Sequence, residues 1–373
     1  MNAVTYLAHL RRLAIAYAHS EPIPSANRNL YETVQETLGA KALEPTNKAS
    51  REAALVGFNL TYPSLSMPPA ILDWNVCDLR LEILQAEARV IRKYLNRANR
   101  GARGFPHLGV LPIGTVDAVA LRVPGSSSNL IVFNSGVFDV LYVLSKIAVV
   151  TSTRQVDPPV VNGQVRMRIP GICRTKCKEL FSSYFLYGRP DRTDQWLLDD
   201  YMLPALNNVV RSSERFLLAH EVAHVLNGHV TSHDSELSLL NANVAVDLID
   251  KTITQEREAD LTGAIIVLEC ADEHDKMVAL AGVEISIAAR RIIDNSYQIF
   301  AGEEVDANSV YENPRILALH RSLKEYYGHR YKRWTEFARD VCVIYDSLWQ
   351  DVRSLIVKYR DSGKIIAKVW QPV

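Results

Sequence analysis

The sequence predicts an α+β fold that is mostly helical, with a small edge sheet and a helical N-terminal region before it. Two observations carry this. Three short runs rich in Val, Leu and Ile, bounded by Gly, Pro and Ser, lie between positions 108 and 133 and read as strands. From Leu197 onward, by contrast, apolar residues recur at helical spacing almost throughout. A helical body packed on one small sheet accounts for both.

The elements follow in order. Residues 1–105 read as a helical region. Leu30, Val34 and Leu38 mark a short amphipathic stretch there, and Tyr62 to Pro69 a Pro-rich linker. A longer amphipathic stretch then carries Val76, Leu79, Ile83, Val90, Ile91 and Leu95. Residues 106–373 read as a second unit. Its strands are expected at Leu108 to Ile113, Val116 to Val123 and Asn129 to Phe133, with Pro124-Gly125-Ser126-Ser127-Ser128 as a turn. A helix follows from Ser135 to about Val149. Val160 to Ile169 reads as a strand pair around Asn162-Gly163. The last helix, Trp334 to Tyr359, shows Val341, Ile344, Tyr345, Leu348, Val352 and Ile356 on one face.

Composition narrows the function. The chain has 373 residues, 48% hydrophobic and 23% charged, which is ordinary for a folded globular protein. Lys+Arg and Asp+Glu both total 42, so no net charge points to nucleic acid or to an anionic membrane surface. Cys77, Cys173, Cys177, Cys270 and Cys342 are odd in number and scattered, which does not suit a disulfide framework. Cys173 and Cys177 have no second Cys or His pair nearby and read as ordinary thiols. The first residues are interrupted by His9, Arg11 and Arg12, which does not fit a secretory signal. The most apolar run, Leu130 to Val150, contains Asn134, Asp139 and Lys146, so no membrane span is expected. These features lead us to expect a soluble, cytoplasmic protein.

The segment that carries chemistry is His220-Glu221-Val222-Ala223-His224. Phe216, Leu217, Leu218, Ala219, Val222, Ala223, Val225 and Leu226 surround it, and a helix that is apolar nearly all round is a buried one. Gly228, after Asn227, is the expected stop. Residues four apart on a helix are rotated by about 40°, so the two imidazoles leave one face a turn apart. That is the geometry for two ligands of one tetrahedral Zn²⁺. Glu221 lies about 100° round the axis, where its carboxylate can reach water at the metal without being a ligand. His229 is expected to point elsewhere. With ten His in the chain, an accidental match to this pattern is expected in roughly 1–2% of such sequences. The competing reading is a core helix whose histidines are simply hydrogen-bonded.

A catalytic zinc needs a third protein ligand and an open position. Glu256 and Asp260 share a helix face that continues into Gly263, Ala264, Val267 and Leu268. The carboxylates thus begin a face that turns apolar, and the small pair Gly263-Ala264 lets another helix approach closely. Glu256 is the expected metal ligand. Asp260 is expected to hold the far nitrogen of a ligating His. Glu258, with Arg257, reads as surface.

A His-Glu-x-x-His helix followed by a helix bearing Glu256, Ala259 and Asp260 resembles the gluzincin zinc metallopeptidases. Within them it is similar to the HtpX and CAAX-prenyl-endopeptidase group and its soluble minigluzincin relatives. Asp117-Ala118-Val119-Ala120-Leu121 and Leu130 to Phe138 resemble that group's strand pattern before the active-site helix. Asn313-Pro314 with Arg315 or Arg321 resembles its His-Pro and Arg segment, with Asn in place of His and a different Arg spacing. His220 to His229 also resembles the Lit-type phage-exclusion peptidases, and Arg215 to Glu221 the ImmA/IrrE-like regulatory peptidases. The similarity covers about residues 110–325. It implies a zinc endopeptidase acting on a protein or peptide, with Glu221 as general base. Leu130 to Phe133 would be the cleft-edge strand that binds extended substrate, and Tyr297, Tyr311, His320 and Arg315 are candidate oxyanion donors. Two alternatives stand beside this reading: a regulatory or phage-defence protease with one dedicated target, and a non-catalytic zinc-containing scaffold.

Overall fold

Leu130, Ile131, Val132 and Phe133 are all fully buried. An apolar run without alternation is what a strand covered on both faces requires. A computed structural model describes residues 2–20, 76–98, 104–111, 113–153, 160–161, 164–165, 168–188, 190, 196, 198–230, 253–303, 305 and 314–363. In it that run forms β3 (Asn129–Asn134), between β1 (His107–Leu111) and β2 (Ala118–Arg122). β3 runs parallel to β1 and antiparallel to β2. The three expected strands are present, in a mostly helical α+β fold. The amphipathic stretch at Leu30, Val34 and Leu38 and the linker Tyr62 to Pro69 lie outside the described residues.

The order β1-β3-β2 corrects one expectation. Leu130 to Phe133 is not a cleft-edge strand. Both of its backbone edges are already paired, and its unbroken apolar run is the signature of a central strand. Among the described residues, β2 is an edge strand, paired with β3 alone.

The helices before the sheet share its core. α1 (Ala3–Ser20) buries Tyr6 and Leu10, and α2 (Val76–Arg97) buries Leu84, Ile91 and Leu95. α2 is also tied electrically to the body. Its fully buried Glu87 accepts from Arg211 Nε at 3.0 Å and from Arg215 Nε at 2.5 Å. A buried carboxylate with two guanidinium partners is tolerable where a lone one is not.

α3 (Gly136–Thr153) follows β3 directly. By length and apolar composition it is comparable to a membrane span, but 72% of that window is buried inside the protein. β4 (Val160–Val161) and β5 (Gln164–Val165) form the expected short antiparallel pair. Then come α4 (Gly171–Tyr187), α5 (Leu203–Leu226), α6 (Ile253–Cys270), α7 (Lys276–Phe300), α8 (Pro314–Tyr327) and α9 (Tyr331–Asp361).

α5 is the element the others pack around. It touches α2, α3, α6, α7, β2 and β3. Pro204 opens it at a position where no helical N–H is lost, and Gly228 follows its end with φ +73°. Its crossing with α7 depends on Gly282. A Cβ there would lie 2.5 Å from Ser212 Cβ and 2.7 Å from the Ser213 backbone nitrogen. Ser286 Oγ closes the same crossing by donating to Ser213 O at 3.1 Å.

Two outcomes test this packing. Ile131→Pro deletes a backbone donor in the central strand and should leave an unfolded or insoluble protein by circular dichroism; a cooperatively folded variant would contradict the strand order. Gly282→Ala should destabilise by about 1–3 kcal/mol in urea unfolding, because backbone must move to admit the methyl group. An unchanged midpoint would show that the helices are not in contact there.

Candidate metal centre

The buried helix α5 presents His220 and His224 one turn apart, as their spacing requires. Their Nε2 atoms stand 3.1 Å from one another. α6 brings Glu256 across from them. Its Oε1 lies 3.3 Å from His224 Nε2 and its Oε2 lies 3.5 Å from His220 Nε2. One donor atom from each residue therefore falls within a sphere that an ion can occupy. Tetrahedral zinc with bonds of about 2.0–2.1 Å has ligand-to-ligand edges of about 3.3–3.4 Å. The 3.1 Å between the two imidazole nitrogens, and the 3.3 and 3.5 Å from them to the two oxygens of Glu256, are of that size. The donor set fits a divalent ion of this size.

Glu221 stands beside the trio. Its Oε1 is 3.9 Å from His220 Nε2, and the residue lines the adjoining cavity. That is close enough to act on a water at the ion.

Each histidine turns its other ring nitrogen toward a fixed partner. His220 Nδ1 faces Asp260 Oδ1 at 3.0 Å. His224 Nδ1 meets His229 Nδ1 at 3.0 Å, and His229 Nε2 meets Glu258 Oε2 at 3.1 Å. With Glu258 ionised, His229 donates from Nε2 and accepts at Nδ1. His224 must then donate from Nδ1, which leaves the Nε2 lone pair directed at Glu256 and His220. Glu258 is exposed, as expected, and His229 is not among the three donors; what the spacing does not anticipate is that His229 turns back onto His224 and links it to Glu258. Gly228, with its positive φ, reverses the chain after α5, and His229 N bonds back to His224 O at 2.9 Å. The two imidazoles meet through a turn that helical spacing alone does not describe.

Arg315, at the start of α8, binds both carboxylates of α6. It donates to Asp260 through Nε and NH2, the latter at 2.8 Å, and to Glu256 Oε2 at 2.9 Å. Among the four candidate oxyanion donors it lines the cavity. Tyr297 instead packs on Phe185, with its hydroxyl 3.5 Å from that of Tyr184. His320 bonds Tyr331 and lies against Glu284, and Tyr311 is outside the described residues.

The charges balance tightly. Burial opposes ionisation of His220, but Asp260 and Glu256, with Glu221 near, outweigh it and push the imidazole up to about 9. Against burial, contacts with His220 and His224 and the charge of Arg315 hold the Glu256 carboxyl far below the usual carboxylate range. Burial also opposes ionisation of Asp260, and Arg315 and His220 lower its carboxyl against that. Ligation needs His220 neutral, so uptake of an ion at neutral pH expels a proton and affinity rises with pH up to about 9.

The cavity measures about 280 Å³. His220, Glu221 and Phe216 line it from α5, Glu256 and Asp260 from α6, and Arg290 and Asp294 from α7. Val116, Asp117 and Ala118 close the side formed by β2. Arg290 donates to Asp117 Oδ1 at 2.8 Å, which joins α7 to the strand. Asp117 opens the strand segment 117–121 singled out in the sequence, but no motif marks Arg290 for this place.

Family models, curated proteins and solved structures were all compared with the chain, and none matches it.

Glu256→Ala should lower the bound metal by one equivalent per chain by plasma mass spectrometry. Asp260→Asn and His229→Ala should each weaken binding at this site by about 10–100-fold while the fold survives. Undiminished metal in Glu256→Ala would remove that residue from the centre.

Proposed function

We propose that the protein is a zinc-dependent endopeptidase that hydrolyses a peptide bond in a protein or peptide substrate. The observation that carries this is the placement of Glu221. A carboxylate that stands beside a His220, His224 and Glu256 trio, and also lines the cavity, is what a hydrolase requires and a purely structural site does not. The likeness of the His-Glu-x-x-His and Glu256 to Asp260 segments to the gluzincin metallopeptidases supports the same reading.

His220, His224 and Glu256 would hold the ion. Zinc bound there supplies Lewis acidity, which acidifies water and polarises a carbonyl. Glu221 accepts the proton released by the attacking water and returns it to the departing amine. Asp260 and His229 fix the two imidazoles, and Arg315 fixes Asp260 and Glu256. Among the described residues β2 pairs with β3 alone, and its first residue, Ala118, lies at the cavity wall, where an extended peptide could align with the strand's start.

Glu221→Gln tests the proposal, because it keeps the side-chain shape and all three proposed ligands. Metal content and circular dichroism should match the wild type. Cleavage of a protein extract, read as new N-termini by mass spectrometry, should fall by about 10²–10⁴-fold. Equal cleavage by the variant, or none by the metal-loaded wild type on extract from its own cells, would favour a non-catalytic scaffold.

A further inference from the structure

A second group of donor atoms gathers away from this cavity. Glu284 on α7, His320 on α8 and Cys342 on α9 each bring one ligand atom to within 4.8 Å of the others. Glu284 and Cys342 are almost wholly buried, at 1% and 2% exposure. Cys342 Sγ lies 3.4 Å from Glu284 Oε2, and His320 Nε2 lies 2.9 Å from Glu284 Oε1. Despite that short separation, Glu284 Oε1 accepts no hydrogen bond of regular geometry. Held this close, the oxygen and the ring nitrogen form an ion pair when His320 is protonated and offer two ligands to one ion when it is not.

We propose that Glu284, His320 and Cys342 form a second site for a divalent ion of the zinc class, which staples α8 to α7 and α9. The donor set sets the class. One carboxylate, one imidazole and one thiol suit a borderline ion, whereas calcium and magnesium prefer oxygen throughout. Tyr331 bonds His320 Nδ1, which leaves Nε2 toward the other two donors, as His229 does for His224 in the first centre. A buried carboxylate needs a positive partner. Without an ion, a protonated His320 and the Cys342 thiol, which donates to Glu284 Oε2, would fill that role; with an ion, the same three atoms turn their lone pairs to it. On binding, the ion replaces the thiol proton of Cys342 and any proton on His320 Nε2.

The consequence is mechanical. α8 carries Arg315 at its start and His320 further along. An ion at His320 therefore anchors the helix that delivers Arg315 to Glu256 and Asp260.

Cobalt(II) distinguishes the two centres, since Cys342 would supply a thiolate and the first trio contains none. The full chain, stripped with chelator and titrated with cobalt, should bind two equivalents and show near-ultraviolet thiolate charge transfer. Cys342→Ala should lose one equivalent and the band. Glu256→Ala should lose the other equivalent and keep the band, which preserves the test should Cys342→Ala fail to fold. Saturation without a thiolate band, or a band that survives Cys342→Ala, would overturn the proposal and leave the trio a buried His–Glu ion pair. Neither result bears on whether Glu221 acts as a base.

Discussion

The centre depends on how closely α6 can approach α5. Glu256 and Asp260 reach His220 and His224 because Gly263, one turn beyond Asp260, lies against the backbone of His220. A Cβ at Gly263 would sit 3.0 Å from His220 N and 3.1 Å from its Cα, tighter than side-chain carbons ordinarily allow. A larger residue there would push the helices apart and carry the carboxylates out of ligand range. The close approach also concentrates negative charge. Glu221, Glu256 and Asp260 gather around two imidazoles, with Arg315 as guanidinium partner of Glu256 and Asp260. Carboxylates held in a buried setting need compensation, and a divalent ion among the donors would supply it.

Everything else in the fold holds that crossing in place. The sheet supports α5 from one side, and β2 shapes the cavity wall. α7 crosses α5 at Gly282 and joins the strand through Arg290 and Asp117. α8 reaches the centre by a single side chain, Arg315, yet that side chain binds both carboxylates of α6. The three polar contacts behind the ligands differ in chemistry. A carboxylate faces His220, an imidazole faces His224, and a guanidinium faces Glu256. The His224 contact continues through His229 to a half-exposed carboxylate, Glu258.

The parts of this site legible in the sequence are those set by position along one helix. His220, Glu221 and His224 follow from a four-residue spacing, and Glu256 and Asp260 from another. Gly263 and Ala264 announced a close helix crossing, and the crossing is there. What escaped notice depends on contacts between elements or on turns. His229 comes back to His224 only because Gly228 adopts a positive φ, which no periodicity encodes. β3 takes a central place, which its lack of apolar alternation favours over the edge position expected for it. Arg290 and Asp117 meet across the cavity from distant positions with no motif between them. Glu284, His320 and Cys342 belong to three separate helices, and their meeting is a product of packing alone.

Metal-edge anomalous diffraction from crystals of the full chain tests the central claim most directly. The account predicts a peak about 2.0–2.2 Å from both His220 Nε2 and His224 Nε2 and from one Glu256 oxygen, with Glu221 outside bonding range. Metal-replete crystals with no peak between these three side chains, or with Glu221 in the place of Glu256, would contradict it.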